Sequence, residues 1–153
     1  MSLKRRVLAR SVTVSALILG GMTLSPAAHA GGYGCAGNLI DQHRAVAYPG
    51  QVLYGYFYLY YDPATGRNCG VMVSNADGGS GVSKPMTAGI YVCNTPPGTL
   101  CNSASTWDQD TGNYKTYAGP VSVNAAGKCI SVGGSIDYAG RKAIVDTDSY
   151  HCG

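Results

Sequence analysis

The sequence has no glutamate, a single phenylalanine (Phe57), a single tryptophan (Trp107) and three histidines. Each shortage closes off some chemistry. Without Glu there is no bidentate distal ligand for a calcium loop. The carboxylate pair of a glycosidase would have to be built from Asp. The motifs G-x-S-x-G and H-E-x-x-H are absent, and no histidine sits beside a clear nucleophile. Cysteines never occur as C-x-x-C, which argues against a zinc ribbon or a dithiol redox motif. Only 12% of residues are charged, with no basic stripe, so nucleic acid is an unexpected partner.

The N-terminus is built for export. Lys4, Arg5, Arg6 and Arg10 precede an apolar stretch from Ser11 to Leu24, too short for a comfortable membrane span. Ala28-His29-Ala30 reads as a small-x-small cleavage signal. Residues 1–30 are therefore expected to be a secretory signal peptide and residues 31–153 a single secreted domain, with no membrane attachment after cleavage. Four of the eleven basic residues lie in the signal, leaving seven against eight Asp. The basic charge of the whole chain is thus a property of the leader, and the remainder is close to neutral.

All six cysteines follow the cleavage site, an even number that reads as three disulfides in an oxidising compartment. Fifteen connectivities are possible in principle. The favoured set is Cys93–Cys101, which pinches Asn94–Leu100 into a small loop, Cys129–Cys152, across a terminal hairpin, and by remainder Cys35–Cys69. Each bridge is expected to contribute roughly 2–4 kcal/mol.

Strand signals dominate what is left. Val52–Tyr61 (V-L-Y-G-Y-F-Y-L-Y-Y) is the longest run of β-branched and aromatic residues beyond the leader. Period-two alternation puts Leu53, Gly55, Phe57, Leu59 and Tyr61 on one face, expected to be the core side. Val52, Tyr54, Tyr56, Tyr58 and Tyr60 form the other, a tyrosine ladder. Further strands are expected over Asn38–Ala47, Arg67–Ser74, Met86–Cys93, Tyr114–Val123 with a bend at Gly119-Pro120, and the hairpin Lys128–Tyr138 and Arg141–Tyr150. Asn75–Ser83 reads as a loop, and Asn94–Asn113 as the longest irregular segment. The expected fold is all-β: a small, disulfide-stapled antiparallel sandwich or barrel of six to seven short strands.

Three groups of residues could carry function. The tyrosine ladder and Trp107 could stack on sugar rings. The competing reading buries Tyr54, Tyr56, Tyr58 and Tyr60 under a second layer with their hydroxyls paired. Asp108-Gln109-Asp110-Thr111-Gly112-Asn113 has oxygen donors at alternate positions, a weak calcium signal through Asp108 and Asp110 that lacks the third carboxylate. His43 and His151 read as surface or edge histidines. No cofactor motif is present and none is expected.

Four stretches share a character with one known family. They are Tyr33-Gly34-Cys35-Ala36-Gly37-Asn38-Leu39-Ile40-Asp41, Leu59-Tyr60-Tyr61-Asp62, Asn113-Tyr114-Lys115-Thr116-Tyr117-Ala118-Gly119-Pro120-Val121, and His151-Cys152-Gly153. Through them the chain resembles the spore-associated protein A family of actinobacteria. The resemblance implies a small secreted protein found with spores, with spore or cell-wall surface components as partners, and no catalytic residues to transfer. The leading expectation is a non-enzymatic extracellular or spore-surface protein. The alternative is a carbohydrate-binding module using Trp107 and exposed tyrosines. A small secreted hydrolase, or a protease inhibitor presenting Asn94–Cys101, is the third.

Overall fold

The computed structural model of the chain describes residues 31–153. The signal-peptide reading of residues 1–30 lies outside them. Eight antiparallel strands form one sheet: β1 Asn38–Ala47, β2 Val52–Asp62, β3 Arg67–Ser74, β4 Lys84–Cys93, β5 Ala104–Tyr114, β6 Tyr117–Asn124, β7 Cys129–Tyr138 and β8 Arg141–Asp146. Their order is β5-β4-β7-β8-β1-β2-β3-β6, and the terminal strands β5 and β6 lie against each other. The result is a nearly closed barrel. It is all-β and disulfide-stapled, with a strand count slightly above the six to seven expected.

The additional strand is β5. It was expected to be irregular because it is rich in Asp, Asn, Gln, Thr and Gly, residues with weak strand preference. Pairing with β4 from Lys84↔Tyr114 to Cys93↔Ala104 overrides that preference. At the edge facing β6, side chains take the place of a backbone ladder. The Asp110 carboxylate accepts from the Gly119 amide at 2.7 Å, and the Asp108 carboxylate accepts from the Ser122 amide at 2.8 Å. An unpaired strand edge invites association with other chains. Here two carboxylates occupy amides that the edge of β6 would otherwise present.

The interior follows the expected face of β2, with one correction. Phe57 and Leu59 are fully buried, joined by Met72, Met86, Ile90, Ile130 and Ile136. The Phe57 ring rests against β3 and β7 at two glycines. A side chain at Gly70 would collide with the ring, and one at Gly134 would crowd both it and Met72. Tyr54 departs from the ladder. Ala45 pairs with Gly55 and Val46 with Leu53, so Tyr54 is an extra residue in β2. Such a bulge reverses the alternation beyond it. Tyr54 accordingly joins the core cluster, and its hydroxyl donates to the Tyr138 carbonyl at 3.2 Å. Tyr61, assigned to the core face, is partly exposed instead.

A second, smaller cluster lies on the outside of β2 and β3. Cys35, Tyr60, Cys69 and Val71 are buried there, with Tyr58 and Val73 packed against them. The cover is the N-terminal segment 31–37, attached to β3 by the Cys35–Cys69 disulfide. The other two bonds join Cys93 to Cys101 and Cys129 to Cys152. Cys93 and Cys129 are register partners on β4 and β7, so both bonds gather at one end of the barrel. The β7–β8 register runs from Tyr138↔Arg141 to Gly133↔Asp146, then slips by one so that Ile130 meets Tyr150. That slip brings the C-terminal segment in step with Cys129.

A buried cation ties the remaining loop. Lys84 is 3% exposed, and its ammonium donates to the carbonyls of Gly79 (2.9 Å), Val82 (3.2 Å) and Lys115 (3.0 Å). Asn75–Ser83 is therefore anchored to the β5–β6 turn. Burial pushes the Lys84 ammonium below its ordinary range.

Candidate functional site

The aromatic residues singled out in the sequence separate onto different surfaces. On the outside of β2, Tyr56 and Tyr58 stack with ring centroids 5.9 Å apart, and Tyr33 stacks on Tyr58 at 6.0 Å. Tyr117 of β6 meets Tyr33 edge-on at 5.4 Å. Tyr60 is 7% exposed beneath the N-terminal segment, while Tyr56 and Tyr58 are half-buried. The ladder is thus neither wholly open nor wholly covered. Its upper end is sealed, its middle is partly roofed by Tyr33, and Tyr54 has turned inward. Burial first, then the neighbouring phenols Tyr33, Tyr56 and Tyr60, raises the Tyr58 hydroxyl above its ordinary value. Burial and Tyr33 do the same for Tyr60.

Trp107 stands on another surface. It lies on β5, 62% exposed, opposite Tyr91 of β4. Directly opposed residues share a face, so Trp107 and Tyr91 belong to the outside of β4 and β5. The two rows of aromatics do not combine into one platform with the β2 ladder.

A groove of about 430 Å³ begins at Tyr91 and crosses the outside of β7 and β8. Its floor includes Gly133 and Gly134, and its walls include Thr87, Ser135, Leu100 and Asp146. The Tyr91 ring lies along the strand over Gly89, where a side chain would strike the ring at 3.2 Å and the hydroxyl at 2.8 Å.

Asp108 and Asp110 are brought to the β5–β6 seam, in a strand where a loop was expected. Beside the backbone amide, Asp110 accepts a short hydrogen bond from the Tyr114 hydroxyl, which raises that phenol above its usual range. Their oxygens serve neighbouring donors on the protein itself. Among the described residues, no group of three or more His, Cys, Asp or Glu is arranged to hold a metal ion.

The histidines, expected at the surface or an edge, are partly exposed and lie together. His43 Nε2 lies 3.5 Å and His151 Nε2 3.3 Å from the same Asp41 oxygen. Tyr150, packed against the core, places its hydroxyl 2.9 Å from His43 Nε2. Burial, with Asp41 adding to it, drives the Tyr150 phenol far upward. The signal was present in part, because Asp41 and His43 are two apart and share a strand face. His151 could be placed only once the Cys129–Cys152 bond and the β7 register were known. His151 also borders a second cavity of about 430 Å³, with Ile40, Tyr61 and Asn68.

Comparison with characterised proteins finds one informative likeness. Spore-associated protein A of Streptomyces coelicolor is 41% identical over 83 residues, which cover 54% of this chain and 46% of that protein. The chain spans about half the length of the curated relative it matches. No protein-family model matches the chain, and no solved structure matches it. The resemblance to the spore-associated family therefore stands on sequence, and the fold stands on the eight-stranded barrel described above.

Proposed function

We propose that this chain is a secreted, disulfide-stabilised protein of the extracellular or spore surface that acts without catalysis. The likeness to spore-associated protein A carries the reading. The barrel supports it physically. Three disulfides hold the N-terminal segment, the Asn94–Leu100 loop and the C-terminal segment to the sheet. The Asn94–Leu100 loop is clamped further, since Ser149 is fully buried and its backbone and hydroxyl bond Gly98, Thr99 and Pro96. Asp108 and Asp110 are engaged with backbone amides. A body tied in this way suits a drying, protease-rich exterior.

Fractionation of a sporulating culture tests the proposal. Antibody against the chain is expected to detect it in spore-surface washes. Mass spectrometry should show three disulfides and an N-terminus at Gly31. Recovery solely from the cytosol with free thiols would refute the reading.

A further inference from the structure

The outside of β4, β5, β7 and β8 has features that a merely structural face would not need. Two aromatic residues, Tyr91 and Trp107, are directly opposed cross-strand partners on this face. Tyr91 lies flat over Gly89, where any side chain would strike both its ring and its hydroxyl. A flat ring backed by the sheet has little conformational freedom left to lose on stacking. Trp107 keeps most of its surface in water although apolar area of this size is normally covered. The groove beside them is open along its length, of a volume suited to a small ligand or one segment of a chain.

We propose that this groove binds a neutral polysaccharide, one glycan residue stacking on Tyr91 and the chain running across Gly133 and Gly134 past Trp107. The chemistry of the walls selects the class. Thr87, Ser135 and Asn102 offer hydroxyl and amide groups that can both donate and accept, as sugar hydroxyls require. The charges in the groove are balanced. Lys142 is paired with Asp137 at 3.4 Å, and Asp146 supplies an acceptor but no positive field for an anion. The aromatic faces bind the apolar face of a sugar ring by the dispersion that packs rings in cores. The proposal does not depend on spore association, because any neutral glycan of suitable linkage would serve.

Trp107 is the only tryptophan and lies outside the groove lining, opposite Tyr91 on the neighbouring strand, so intrinsic fluorescence of the oxidised protein reports on the Tyr91 end of the groove. The probes are soluble β-1,4-linked hexamers of glucose and of N-acetylglucosamine, with electrophoresis through gels containing soluble polysaccharide as a second measurement. A saturable shift with one hexamer is expected, weakened about tenfold or more by Tyr91→Ala. Trp107→Ala should abolish retardation in the matching gel, and Tyr56→Ala on the opposite aromatic surface should leave it unchanged. Circular dichroism of each variant separates loss of binding from loss of fold. Absence of both shift and retardation with every glycan would overturn the proposal, as would retardation that depends on Tyr56 and not on Tyr91. Binding confined to anionic polymers and removed by salt would also overturn it.

Discussion

Two outer surfaces of this barrel carry aromatic rows, and they have been treated in opposite ways. On β2 and β3 the row is roofed: segment 31–37 covers Tyr60, Tyr33 lies on Tyr58, and a disulfide holds the roof down. On β4 and β5 the row is open, with Tyr91 flattened and Trp107 projecting into water. The alternation that groups the tyrosines on one face fits either a covered or an open ladder. The run of tyrosines is the conspicuous one, yet it needs covering because so many large rings on one strand would expose a contiguous sticky patch. Trp107 and Tyr91, set among Thr, Ser, Gln and Gly, leave a patch small enough to remain uncovered. Density of aromatics here marks where a second layer is required, and a sparse pair can stay uncovered.

The comparison can be broken most severely from inside, where both surfaces share one core. Phe57→Ala should cost about 3–5 kcal/mol, as for large buried aromatics elsewhere. Urea denaturation should show the loss, and both surfaces should fail together. Breaking the roof should be smaller and one-sided. Replacing Cys35 and Cys69 together by Ala opens a bond spanning a sequence separation of 34. The expected loss is about 3–4 kcal/mol. Hydrogen exchange should rise in β2 and β3 while glycan binding at Tyr91 persists.

The seam between the two surfaces comes next. Asp110→Ala strands the Gly119 amide and the Tyr114 hydroxyl and should cost about 1–3 kcal/mol in chemical denaturation. Asp110→Asn, which keeps an acceptor, should cost less. Oligomerisation of the Ala variant by light scattering would show that the carboxylate also guards the edge of β6.

Alkali sharpens the contrast without mutating the roof. Tyr58, Tyr60 and Tyr150 all hold their protons above the ordinary value of 10.0. Above that pH the unfolded chain loses these protons first, so the folded state binds more and stability falls as pH rises. Below it their contribution is fully present. Lys84 works in the opposite sense just below 10.5, where the unfolded chain holds the extra proton. Tyr150→Phe should flatten the alkaline decline seen in denaturant midpoints against pH, with Tyr60→Phe doing so by a smaller amount.

Much of this architecture can be read from residues. The alternation of β2 identifies Phe57 and Leu59 as interior, and Ala139-Gly140 sets a two-residue turn whose Tyr138↔Arg141 pairing is the one observed. Other features leave no local trace. The bulge at Tyr54 depends on how β1 and β2 settle against each other, which no single strand specifies. β5 is a strand because β4 offers it a partner and β6 offers amides to its aspartates. Polar composition therefore points to a loop until the neighbours are known. The same holds for His43 and His151, which meet only because a disulfide and a register slip carry the C-terminus to β1.

The smallest expected effect is the most discriminating. Trp107→Ala removes the largest side chain of the molecule from a position that is 62% exposed on an edge-side strand. If the residue is there for packing, stability should fall by a kilocalorie or more, as at other aromatic positions. If it is there for a ligand, the unliganded protein should change by no more than about 0.5 kcal/mol, as for ordinary surface substitutions. The stabilisation that a bound glycan gives by mass action should then vanish with it. Melting curves of both proteins with and without saturating hexasaccharide make the distinction in one experiment. An exposed tryptophan that contributes nothing to the empty fold, and everything to the filled one, is the behaviour of a binding residue.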